Sequence, residues 1–143
     1  MGKKLIFQPK ARLLLQLGDQ LIRNESIALI ELVKNSYDAF ATSVVVLMKK
    51  VDNQKEGEIV IIDNGIGMNA DIIEKVWMQP GSDNKLKIIK SIKNIDDNIR
   101  IPIGEKGIGR FGVHKLGYDI ELVSKAEGSK EVFLKIDWTE FEK

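Results

Sequence analysis

The chain has 143 residues, 43% of them hydrophobic and 30% charged, with a net charge of +1 and no cysteine. That size suits one domain with one core. The near-neutral charge gives no field that would attract nucleic acid or an anionic membrane, and the lack of cysteine excludes disulfides and thiolate metal sites and fits a reducing cytoplasm.

The N-terminal run MGKKLIFQPKARLLLQLG turns from basic to apolar, but Gln16, Asp19 and Gln20 interrupt it and it lacks a small-residue cleavage site, so no signal peptide is expected. No apolar run is long enough to span a bilayer. Leu13, Leu14, Leu17 and Leu21 fall at helical spacing and predict a first helix over Ala11–Ile22. Asn24 is placed to cap a second helix that runs to about Phe40. A valine-rich strand follows at Ser43–Lys50, then a polar turn, then a strand over Glu58–Ile62 ending at Asp63. Asn69 would cap a short helix over Ala70–Trp77. Gln79–Ile103 is polar and weakly periodic, a length that in a compact domain goes with function or mobility. A helix is expected over Gly107–Leu116, and strands over Tyr118–Lys125 and Lys130–Trp138 with a turn near Gly128.

Three segments carry candidate chemistry. On the second helix Glu31, Asn35 and Asp38 stand at i, i+4 and i+7, so they share one stripe of an otherwise largely apolar helix. Such a stripe is either a solvated polar face or one side of a site; it is narrower and poorer in lysine than most solvated faces. The run IVIIDNGIGMN, Ile59–Asn69, delivers Asp63 from an apolar strand into a glycine turn. Either it is a β-turn with an Asx cap, or Asp63 accepts a hydrogen bond from a ligand's exocyclic amine while Gly65 and Gly67 let the ring lie close to the backbone. A calcium loop is excluded, because oxygen ligands at alternate positions are missing. The run GEKGIGRFGVHKLG, Gly104–Gly117, has four glycines within nine residues, followed by an amphipathic stretch. A glycine loop that opens a helix offers backbone N–H groups to an anion, so a phosphate chain is the natural ligand.

In this order the three motifs resemble those of the Bergerat-fold ATPases, the group of DNA gyrase B, Hsp90, histidine kinases, MutL and the MORC proteins. The resemblance runs from about Ile22 to Gly117. The stretches WMQPGSDNK and GEKGIGRF are similar to those of MORC-like and related bacterial members. It implies an α/β two-layer sandwich, with helices on one face of a mixed, mostly antiparallel sheet. It implies ATP and Mg²⁺ as ligands, with Asn35 as the metal ligand and Asp38 beside it in the nucleotide site. Asp63 would read the adenine amino group, Gly65 and Gly67 would line its side, and Met68 would pack near the base. Gly104, Lys106, Gly107, Ile108 and Gly109 would cradle the phosphates, and Met78–Ile103 would form the lid. A glutamate at the position of Glu31 polarises the attacking water in the hydrolysing branch and is generally missing from histidine kinases. Hydrolysis of ATP to ADP and phosphate, driving lid closure and dimerisation, is the implied activity; a kinase-type catalytic domain and a non-hydrolysing nucleotide sensor are the alternatives.

The remaining residues have plainer expectations. His114, Trp77 and Trp138 read as packing or surface residues, Arg110 as a solvated lid residue, and the lysines of Lys85–Lys93 as a solvated face. The chain departs from the family in one respect: no Gly-Thr pair follows Ile120 to support the adenine-side aspartate. With the phosphate-sensing lysine of a following domain also lacking, the chain is expected to be the N-terminal ATP-binding domain of a longer protein and to turn over ATP weakly by itself.

Overall fold

In the computed structural model the described residues are Gln16, Gln20, residues 22–78 and residues 109–141. Of the expected first helix only Gln16, Gln20 and Ile22 fall among them, and both glutamines are helical. Gln79–Ile103 and Gly104, Lys106, Gly107 and Ile108 lie outside the described residues.

Helix α1 spans Glu25–Asp38. Asn24 is extended and its Oδ1 accepts from Ile27 N at 3.0 Å, which satisfies one orphan donor of the first turn, and Glu25 sets a negative charge near the positive end of the helix dipole. At the other end Ala41 N donates to Ser36 O at 3.1 Å and Phe40 N to Tyr37 O at 3.0 Å, the double closure of a Schellman cap. The left-handed residue of that cap is Phe40, at φ 62°, where a glycine is usual.

Strands β1 (Val44–Lys49) and β2 (Glu58–Asp63) pair antiparallel from Val44↔Asp63 to Lys49↔Glu58. Val44, Val46, Ile61 and Ile59, all half-buried, share a face with Asp63, so the terminal carboxylate stands on the same side of the strand pair as these apolar residues. A short helix α2 (Ala70–Ile72) follows, with Asn69 Oδ1 accepting from Ile72 N at 2.9 Å. It does not stay α-helical to Trp77 as the pattern predicts. From Ile73 to Trp77 it widens into a π turn, closed by Met78 N donating to Ile73 O at 2.8 Å. The widened turn holds Ile73 buried and Trp77 against Ile136 and Trp138.

Gly109–Lys115 is a 3₁₀ helix and not the expected α-helix. Gly109 and Gly112 are weak α-helix formers, and Gly112 is pressed onto Ile22, where a Cβ would overlap the isoleucine side chain. Strands β3 (Asp119–Ser124) and β4 (Val132–Asp137) then form a second antiparallel pair. Ile120↔Ile136, Leu122↔Leu134 and Ser124↔Val132 face inward, while Glu121↔Lys135 and Val123↔Phe133 face outward. The second strand stops at Asp137, and Trp138–Phe141 turns into a 3₁₀ helix that buries Trp138.

The chain is therefore α/β with antiparallel pairing. Among the described residues the two strand pairs are separate and do not form one continuous sheet. Helix α1 packs against β2 and against the 3₁₀ helix Gly109–Lys115. No helix among the described residues is long and apolar enough to cross a membrane.

Candidate functional site

Helix α1 carries the polar stripe. Glu31, Asn35 and Asp38 are all half-buried, so the stripe is neither core nor open surface. Oε1 of Glu31 accepts from Lys34 Nζ at 2.6 Å. The side-chain amide of Asn35 makes no hydrogen bond among the described residues, which leaves its oxygen uncommitted. Asp38 is the last residue of the helix.

The first two motifs meet through a residue that sequence reasoning missed. Ser36, only 3% exposed, donates from Oγ to Asp63 Oδ2 at 2.9 Å. The signal was present, since Ser36 stands inside the motif itself, but helical spacing alone cannot show which strand a helix faces. Asp63 Oδ1 accepts from Gly65 N at 2.9 Å. A carboxylate has about four lone-pair sites, so with these two donors in place Asp63 is held in orientation and retains acceptor capacity. A hydroxyl from α1 thus supports this aspartate, whose usual support in the family, a Gly-Thr pair on a later strand, has no match after Ile120.

The glycine turn after Asp63 is fixed by the chain's own backbone. Asn64 Oδ1 accepts from Thr42 N and Ser43 N, each at 2.9 Å, and its Nδ2 donates to Thr42 Oγ1 at 2.8 Å, which ties the turn to the start of β1. Ile66 N donates to Ala39 O at 2.9 Å, and a Cβ on Gly65 would stand 2.6 Å from that same carbonyl oxygen. Gly67 has φ 66° and lies on the backbone of Lys125, where a Cβ would overlap the carbonyl. Met68, half-buried, donates its N–H to Ser124 Oγ at 2.8 Å. The closeness that Gly65 and Gly67 permit is therefore used by Ala39 and Lys125, and the turn joins α1 to the end of β3.

Of the glycine loop, Gly109 opens the 3₁₀ helix that packs on α1. His114 lies edge-on to Trp138, with ring centroids 6.3 Å apart, and both tryptophans pack as expected.

Among the described residues no three His, Cys, Asp or Glu side chains gather as a self-sufficient metal site. The uncommitted amide oxygen of Asn35 suits a hard cation that takes few protein ligands, and Mg²⁺ is the ion of that kind.

One helix thus gathers the motifs: its stripe, the aspartate bonded to its Ser36, and the helix that ends the glycine run. Residues 23–143 match the family described as "Histidine kinase-, DNA gyrase B-, and HSP90-like ATPase". The chain belongs to this ATPase family. Among individual proteins it is 30% identical over 105 residues to the putative type II restriction enzyme HgiDII of Herpetosiphon aurantiacus, covering 73% of this chain and 15% of that protein. It is 29% identical over 84 residues to the chaperone protein HtpG of Aliarcobacter butzleri (strain RM4018), covering 57% of this chain and 13% of the chaperone. The chain thus matches well under a fifth of the length of either relative. Membership of this ATPase family makes the chain an ATP-binding domain.

Proposed function

We propose that the chain is a Mg²⁺-dependent ATPase module whose nucleotide lies against the polar stripe of α1, between the helices and the strands of a two-layer sandwich. The bond from Ser36 Oγ to Asp63 Oδ2 carries this reading, because it sets the acceptor for the base beside the helix that holds Glu31 and Asn35. Asp63 accepts the adenine amino proton. Gly104, Lys106, Gly107, Ile108 and Gly109 offer backbone amides and one cation to the phosphates. Asn35 would hold Mg²⁺ through its side-chain oxygen, and the ion when bound would supply charge neutralisation at the phosphates. Glu31 orients a water molecule and takes its proton. The water oxygen forms the new bond to the terminal phosphorus, the bond from that phosphorus to the bridging oxygen breaks, and ADP leaves with the bonding pair. Positioning and charge stabilisation supply most of the acceleration. The module acts in the cytoplasm inside a longer protein, where nucleotide-driven closure and homodimerisation transmit the cycle.

Glu31→Ala in the full-length protein tests the reaction. An interaction needed only in the transition state lowers turnover and spares affinity, so phosphate release should fall by ~10²–10⁴-fold while ATP binding stays. A mutant at the wild-type rate would remove Glu31 from the chemistry. A wild type that binds ATP and never releases phosphate would make the module a nucleotide sensor.

A further inference from the structure

Lys34–Glu31 stands apart from the other ion pairs among the described residues. In Lys49–Glu58, Lys50–Glu56, Lys75–Asp71 and Lys135–Glu121 both side chains are more than half exposed. Pairs of that kind are solvated and contribute little. In Lys34–Glu31 the side chains are 31% and 24% exposed and the separation is 2.6 Å. The contact is also one-sided, since Lys34 Nζ engages Oε1 and no donor among the described residues engages Oε2. At about 100° per residue, Lys34 falls to one side of Glu31 and Asn35 to the other.

We propose that Lys34 is a positioning residue for hydrolysis: its ammonium fixes Oε1 of Glu31 and reserves Oε2 for the attacking water. The proposal rests on the reading of Glu31 given above. A glutamate has several rotatable bonds, and a carboxylate free to swing must be ordered each time water is to be activated. A charge-assisted hydrogen bond one helical turn away does that ordering in advance. Misplacing a reacting group by a fraction of its proper distance lowers rate steeply without altering how substrate is held. Lys34 therefore bears on turnover and not on the grip on ATP.

The test compares Lys34→Met, Lys34→Arg, Glu31→Gln and Lys49→Met in the full-length protein, each checked for folding by circular dichroism. Lys34→Met should lower kcat by about 10–10²-fold with KM for ATP unchanged. Lys34→Arg, which keeps a donor in reach of Oε1, should recover most of the loss, and a purely structural lysine would give no such split. Lys49→Met breaks an exposed pair on β1 and should leave kcat alone. Unchanged turnover in Lys34→Met overturns the proposal, as does faster turnover, which would make the pair a lock on Glu31. A raised KM with kcat intact also overturns it, by making Lys34 a nucleotide ligand. Glu31→Gln separates the two levels. If it turns over like wild type, the reading of Glu31 has failed and the proposal falls with it. If it is inactive while Lys34→Met is normal, only the role of Lys34 has failed. Apart from turnover, the Lys34 ammonium should be slow to exchange its protons in wild type by ¹⁵N NMR and fast in Glu31→Gln; fast exchange in both would remove the contact itself.

Discussion

One hydroxyl supplies one of the two hydrogen bonds that hold Asp63, the other coming from Gly65 N. Ser36 is buried, and its Oγ is the side-chain donor to Oδ2 of that carboxylate among the described residues. Ser36→Ala keeps the volume and deletes the bond. Hydrogen bonds to charged groups contribute about 1.5–3 kcal/mol, and Asp63 is exposed enough for water to replace part of that. The mutant should lose about 1 kcal/mol of stability, read as a lower urea midpoint at unchanged slope. It should also bind ATP more weakly, because only the Gly65 N–H then orients the carboxylate. A mutant with unaltered midpoint and affinity would show that the bond does nothing for fold or site.

The element that joins the two strand pairs is the turn from Asn64 to Met68, and two glycines separate the causes of its shape. Gly67 and Gly128 have nearly equal backbone angles, φ 66° and 69°, but Gly67 lies on Lys125 and Gly128 has nothing within 4 Å of its would-be Cβ. Gly128→Ala should cost only the left-handed penalty of roughly 1–2 kcal/mol. Gly67→Ala should cost that and a further overpacking term of about 1–3 kcal/mol, and should loosen the bond from Met68 N to Ser124. Thermal unfolding of the two mutants checks the difference, and equal losses would deny the close approach. This contrast also marks what could be read in advance. Local signals placed Asn24 and Asn69 as caps and all four strands to within a residue or two, because a cap or an alternating strand is written in adjacent residues. The π turn at Ile73–Trp77, the tight helix at Gly109–Lys115 and Ser36 each make contacts distant in sequence, with Trp138, Ile22 and Asp63 respectively. No local window contains those partners. The glycines of the second motif were legible as glycines needing close approach, and the backbone of Ala39 and Lys125 lies against them.

For the whole molecule the proposed role of Asp63 carries a ligand preference. Asp63 has acceptor capacity only, which matches the amino group at the six position of adenine and opposes the carbonyl of guanine. Leaving that pairing unmade in the site should cost about 1–3 kcal/mol. Thermal unfolding should therefore rise more with ATP than with GTP at equal concentration, in proportion to the logarithm of ligand over its dissociation constant. Adding Mg²⁺ should increase the ATP shift, and Asn35→Ala should remove that increment. Equal shifts with ATP and GTP would sink the adenine reading of Asp63.

The clamp on Asn64 has a consequence for how the protein ages. Asn64–Gly65 is the chain's one Asn-Gly step, the sequence in which an asparagine side chain most readily closes onto the next backbone nitrogen and loses ammonia. Closure requires the amide to leave its partners and the Gly65 nitrogen to approach it. Here the amide is bound to Thr42 and Ser43, and Gly65 N is engaged by Asp63. Deamidation at Asn64 should be slow in the folded chain and fast in denaturant, followed by peptide mass spectrometry over days at mildly alkaline pH. Its product would set a new carboxylate beside Asp63, so a stored sample would record, molecule by molecule, how often this turn had come open.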